Sequence, residues 1–164
     1  MRLVARLLPA VFALLALTSS ARAAEWKRWN PGLAAAASSR RPVLVNVYTD
    51  WNRWCRQMDR EVYARADVND YMAARFVAIK LNAESPDTVA YKGRSLTARS
   101  LASSFDVSGY PTTIFLSSNG EHLVSVPGYV EPARFLLLLR WIGDGHMERG
   151  VKWDDFVKQP GGSK

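Results

Sequence analysis

The reactive chemistry of this sequence is concentrated in one stretch, Asp50-Trp51-Asn52-Arg53-Trp54-Cys55-Arg56-Gln57-Met58-Asp59. It follows an apolar, β-branched run (Val43, Leu44, Val45, Val47, Tyr48) and opens a helical pattern with apolar residues at Cys55, Met58 and Val62. The pattern predicts a strand, a short loop and a helix whose first turn holds a thiol. Asn52 suits the N-cap, because its side-chain oxygen can accept a backbone N–H from Trp54 or Cys55. Exposed amides and the helix dipole at such a terminus favour thiolate over thiol, and Arg53 and Arg56 add to the effect. The opposite reading rests on spacing. Cys55, Met58 and Val62 stand at i, i+3 and i+7, one face of a helix, and free cysteine is among the most buried residue types. On balance the spacing favours an inert, core-facing Cys55 over a reactive one.

Cys55 is the only cysteine in the chain, so no intramolecular disulfide can form. The thiol stays free, pairs with another molecule as a mixed disulfide or dimer, or carries a reversible adduct. His122 and His146 share no ligand spacing with it, so neither a metal nor another cofactor is expected.

Trp51 to Cys55 resembles the W-C-x-x-C corner of the thioredoxin superfamily, and Gly109-Tyr110-Pro111-Thr112-Thr113 resembles that family's cis-proline loop. The likeness runs from about Arg41 to Ile142, with both motifs in the family's order, and is strongest to periplasmic thioredoxin-like and thiol:disulfide interchange proteins. It implies an α/β fold, a three-layer α/β/α sandwich with a mixed central sheet. In the family the first cysteine attacks a substrate disulfide and the second resolves it, and here Asn52 stands in the first position. An amide cannot attack, so the resemblance implies a chain without dithiol exchange. Asn46 occupies the strand site where thioredoxins often hold a buried acid, which fits that loss.

Two functions remain open on this reading. The family's proline loop offers backbone groups to an extended peptide, so Trp51, Asn52, Arg53, Trp54, Tyr110 and Pro111 are expected to form a binding corner for a peptide or partner protein. Packing of at least one of these aromatics into the core or its rim is also expected. The alternative is a single-thiol redox protein using Cys55, resembling in outline the T-x-x-C of peroxiredoxins. Any enzyme here would be a thiol-dependent oxidoreductase and not a dithiol disulfide reductase.

The elements that must position this corner are legible from pattern. Val43–Tyr48 lacks strict alternation and reads as a central strand buried on both faces. A helix is expected from Asp67, a strand over Phe76–Leu81, and a loop from Asn82 to Arg94. Ser95 is the expected cap of a helix carrying Leu101, Ala102 and Phe105. Thr113–Leu116 and His122–Val126 flank the turn Ser118-Asn119-Gly120. Pro132 opens a last helix with Phe135, Leu138, Leu139 and Ile142 on its buried stripe. Before the central strand, Pro31-Gly32 is expected to break the chain ahead of a short alanine-rich helix over Leu33–Ser38.

Residues 1–23 read as a cleavable signal peptide, with Arg2 and Arg6 before the apolar run Leu7–Leu17 and small residues at Ala21 and Ala23. Residues 24–40 then form an N-terminal extension, 41–143 the thioredoxin-like domain and 144–164 a tail. The apolar run is well short of the ~20 residues that span a bilayer, so a periplasmic or secreted protein with no membrane anchor after cleavage is expected. The formal charge of +7 falls by three, to +4, once Arg2, Arg6 and Arg22 leave with the leader. Such a mild balance, without a clustered basic face, argues against nucleic acid as partner.

Overall fold

The computed structural model describes residues 23–158. The expected leader therefore lies outside the described residues, apart from Ala23. Five strands form a mixed sheet in the order β1-β3-β2-β6-β7: β1 (Trp26–Lys27), β2 (Val43–Tyr48), β3 (Val77–Asn82), β6 (Thr112–Leu116) and β7 (His122–Pro127). The pairs β1–β3 and β2–β3 are parallel, whereas β6 runs antiparallel to both β2 and β7. Strand β2 is the centre, with Val45 opposite Ile79 on one side and Ile114 on the other.

Side-chain alternation along β2 divides the core into two layers. Val43, Val45 and Val47 face a cluster with Trp29, Ala36, Leu101 and Phe105, contributed by α1 (Trp29–Ser39) and by α4 (Ala98–Ser103) and its end. Leu44 faces the other way, onto Met58, Met72, Phe115 and Phe135. That layer is covered by α2 (Arg53–Met58), α3 (Ala66–Arg75) and α5 (Pro132–Gly143). Phe115, Phe135 and Leu44 are fully buried, each worth about 1.5–3 kcal/mol by transfer from water. The chain is thus an α/β/α sandwich with a mixed central sheet.

Residues 24–40 are part of this fold, not an appendage to it. Trp26 and Lys27 add a parallel edge strand, and α1 buries Trp29 and Ala36. Helix α1 runs straight through Pro31-Gly32. Proline is tolerated in a first helical turn, where its missing N–H would have no partner anyway. Gly32 is there for close packing, since a Cβ on it would sit 2.4 Å from the Ile79 side chain.

The expected loop from Asn82 to Arg94 contains a second, two-stranded sheet, β4 (Thr88–Tyr91) with β5 (Arg94–Thr97). Lys92 and Gly93 make its turn with φ of 48° and 74°, the pair of positive values that a type I′ turn needs. Ser95 lies in β5, and the cap of α4 is Thr97, whose Oγ1 accepts the Ser100 N–H. Helix α3 begins one residue before Asp67, which bonds the N–H of its neighbour Val68 from inside the first turn. After α5, the short α6 (Trp153–Val157) docks back on it. Trp141 Nε1 donates to the Val151 carbonyl at 2.8 Å, and Phe156 is buried.

Candidate functional site

The candidate site lies where β2 ends and α2 begins. Thr49 and Asp50 leave the sheet after Tyr48, Asn52 caps the helix, and the exposed Trp51 stands between them in the chain. Asn52 has extended backbone angles, and its Oδ1 accepts the N–H groups of Trp54 at 2.9 Å and Cys55 at 3.2 Å. These are the amides that would otherwise point, unpartnered, from the first turn. Asn52 is therefore structural at this corner.

Cys55 faces inward and is 2% exposed. Its stripe-mates Met58 and Val62 are fully buried. Burial pushes the Cys55 thiol above its ordinary pKa, and the nearby Asp59 carboxylate adds to the rise. The Thr49 backbone amide and Arg56 oppose it, without overcoming the burial. The first-turn position alone favours a thiolate, and desolvation reverses that. Helix α2 passes directly into a π turn, Asp59–Tyr63. There Tyr63 is buried with its hydroxyl 3.1 Å from Thr113 Oγ1, and Lys80 Nζ lies 2.9 Å from Asp59 Oδ1.

Two aromatic side chains stand out of this corner. Trp51 is 65% exposed and Trp54 is 42% exposed, the large apolar side chains most open to solvent among the described residues. Trp51 Nε1 donates to Glu84 Oε2 at 3.1 Å, which fixes the ring beside the loop after β3. The Arg53 guanidinium lies 4.7 Å from the Trp54 ring centre, and Tyr129 stands 6.1 Å from the same ring, centre to centre. The Tyr129 hydroxyl in turn donates to Glu61 at 2.9 Å.

The Tyr110–Pro111 peptide bond is cis. Pro111 itself is buried, and its carbonyl accepts the Gly128 N–H at 2.8 Å, which ties this loop to the Tyr129 segment. The Tyr110 ring is half-buried and packs against the valine layer of the core rather than beside the tryptophans. Neither the N–H nor the C=O of Tyr110 has a hydrogen-bond partner among the described residues. Trp51, Asn52, Arg53, Trp54 and Cys55 share one loop and helix turn, the Pro111 loop is linked to Trp54 only through Gly128 and Tyr129, and the Tyr110 ring packs into the core. Tyr129, Arg56 and Glu84 also belong to the corner. Arg56 was already legible beside Cys55 in the sequence and Tyr129 follows the Gly128 break after the hairpin strand, whereas Glu84 carried no sequence cue.

Among the described residues no group of three or more histidine, cysteine, aspartate or glutamate side chains is arranged to hold a metal ion. No described helix is long and apolar enough to cross a membrane.

Comparison with known proteins agrees with this architecture. A thiol:disulfide interchange protein, DsbD, of Ralstonia nicotianae is 30% identical over 108 residues, which is 65% of this chain and 16% of that protein. The chain therefore spans about one-sixth of the length of that relative. A thioredoxin from Thermus thermophilus superposes with a TM-score of 0.64 at 25% identity, covering 79% of this chain and 94% of its own. A thioredoxin-fold protein from Helicobacter pylori gives a TM-score of 0.62 at 21% identity over 73% of this chain and 80% of that one. The thioredoxin-like domain family matches residues 29–142, a span that includes α1 and both motifs, and the chain belongs to that family.

Proposed function

We propose that this protein is an exported peptide- or protein-binding module of the thioredoxin-like family, without dithiol exchange, that works through its Trp51–Trp54 and Pro111 corner. The observation that carries this reading is the opposite exposure of two neighbours: Cys55 is 2% exposed and Trp54 is 42% exposed. A thiol that is shielded and held protonated is a poor nucleophile. Exposed tryptophans, together with unpartnered Tyr110 backbone groups on the loop tied to the Tyr129 segment, suit an extended segment, which adds main-chain hydrogen bonds along a loop and seats side chains on aromatic faces. Asn52 supports the same reading, because its side chain is committed to the helix cap. Export is part of the proposal. It rests on the leader-like residues 1–23, and the relative named as a thiol:disulfide interchange protein is compatible with it.

The second reading, a single-thiol redox protein, has the first-turn position of Cys55 and the amide of Thr49 in its favour. One experiment separates the two. Binding of a fluorescein-labelled octapeptide alternating valine and tyrosine with glutamine is measured by anisotropy for the wild type, Cys55→Ser and Trp54→Ala. The binding module requires Cys55→Ser to bind like the wild type and Trp54→Ala to weaken binding by about tenfold or more, the scale of a central aromatic contact. Unchanged binding by Trp54→Ala removes the corner from consideration. A glutathione adduct or sulfenic acid at Cys55 in the folded protein would transfer the case to the thiol.

A further inference from the structure

Three exposed arginines, Arg53, Arg56 and Arg60, lie along the outer side of α2 and its π turn. Their i, i+3, i+7 spacing places them in one strip about 10 Å long, given 1.5 Å of rise per helical residue. None of the three is in an ion pair among the described residues. Arg56 Nη1 donates to the Asp50 carbonyl, and Arg53 lies over Trp54. The carboxylates nearby are already engaged. Asp59 is held by Lys80, Glu61 by Gln57 and Tyr129, Asp50 by Asn82, and Glu84 by Trp51 with Arg99 3.7 Å away. The strip is thus a row of three guanidinium groups without an ion-pair partner, of which Arg60 still feels the charge of the neighbouring Glu61.

We propose that this strip selects an acidic segment of a partner protein, so that the occupant of the Trp51–Trp54 corner is an extended peptide carrying two or three closely spaced carboxylates. The inference rests on the peptide-binding reading of the corner and adds the charge of the ligand to it. Guanidinium groups bind carboxylates through paired, directional hydrogen bonds. An extended chain advances about 3.4 Å per residue, so three or four residues cover the strip, and alternate side chains reach it. The footprint also argues for a narrow ligand. Glu61 follows Arg60 directly in the chain and keeps its negative charge, so a broad polyanion such as a membrane surface would meet it as well.

The test uses three labelled octapeptides that alternate valine and tyrosine with glutamate, glutamine or lysine, together with vesicles of anionic lipid. Arg53→Glu, Arg56→Glu and Arg60→Glu are all at exposed positions, and thermal melting confirms that each variant is folded. The glutamate peptide is expected to bind at least tenfold more tightly than the glutamine peptide, the scale of one charge-assisted hydrogen bond. Its affinity should fall with added salt. Arg60→Glu should weaken the glutamate peptide by a similar factor and leave the glutamine peptide unchanged. Equal binding of the three peptides, or indifference of the glutamate peptide to all three variants, overturns acidic selection while the corner reading stands. Vesicle binding that is lost in the variants, with no preference among peptides, overturns it in favour of a lipid surface. Absence of binding by every peptide overturns both readings together.

Discussion

The Oδ1 of Asn52 holds the backbone N–H of Cys55 at 3.2 Å, and the N–H of Trp54 at 2.9 Å. One amide side chain thus closes the first turn of the helix that carries both the buried thiol and the exposed ring. Removing it leaves two helical N–H groups without a side-chain partner. Asn52→Ala is expected to cost about 0.5–2 kcal/mol, and Asn52→Ser or Asn52→Asp much less, because their side chains also cap. Urea denaturation of the three variants checks this. An alanine variant as stable as the wild type would show that water satisfies the turn equally well.

The raised pKa of Cys55 makes a prediction with a definite sign. A group whose folded pKa lies above its unfolded value contributes stability that is present below the unfolded value and is lost as pH rises through the folded one. For Cys55 the cause is burial first and Asp59 second, so the loss falls in the alkaline range above the ordinary thiol pKa. In the same range alkylation of the native protein should begin to accelerate. At neutral pH labelling should be slow in the folded protein and ordinary in the denatured control. Fast native labelling with an apparent pKa below the ~8.5 of a free thiol would mean that Cys55 is accessible and ionised.

How far these features were legible in the sequence depended on whether a local pattern had one structural meaning. Cys55, Met58 and Val62 repeat at helical spacing, and all three are buried even though the helix widens to a π turn at Asp59. The run of β2, apolar on both faces apart from Asn46, likewise had one meaning, a central strand. The β4–β5 hairpin was hidden because its strands have four residues each and only Val89 is buried in them. Its turn is Lys92-Gly93, a weaker signal than asparagine or aspartate before glycine. Pro31-Gly32 reads as a breaker and so hides the first turn of α1, although proline two residues after the helix start is harmless. Ser95 is the cap expected of α4, but its strand pairing with Ala90 commits it to β5 and leaves the cap to Thr97. The exposure of Trp51, by contrast, depends on tertiary packing that no single stretch encodes.

Gly32 packs directly over Ile79 at the α1–sheet interface. A methyl group at position 32 would lie 2.4 Å from both Ile79 Cγ1 and Cδ1, and Ile79 is fully buried in the central sheet. Glycine in a helix usually costs about 0.5–1 kcal/mol relative to alanine, so Gly32→Ala would stabilise an open site. Here overpacking should reverse the sign and cost about 1–3 kcal/mol. In an Ile79→Ala background the clash disappears, and Gly32→Ala should then be neutral or stabilising. The double-mutant cycle reads this coupling directly. Additive effects would show that α1 shifts away from the sheet instead.

Asn46 is 1% exposed on the central strand, and neither its Oδ1 nor its Nδ2 has a partner among the described residues. The register places it beside Lys80 on β3 and Thr113 on β6. Both neighbours are engaged, Lys80 with Asp59 and Thr113 with Tyr63. An amide buried without partners costs about 1–3 kcal/mol. Asn46→Leu, which keeps the branched heavy-atom skeleton without the polar atoms, should therefore leave stability unchanged or raise it, as an increased urea midpoint. A loss above about 1 kcal/mol would mean that the amide makes a bond through bound water. Asn46→Asp gives the complementary result. Burial raises the pKa of a carboxyl group there, so its stability contribution is present below the ordinary aspartate value and is lost as pH rises through the folded one. The Asn46→Asp protein should be less stable than the wild type at pH 7 and recover on acidification towards pH ~4, with Asn46→Leu unaffected over the same range. Equal stability at pH 7 would place the new carboxylate in contact with Lys80, displacing Asp59.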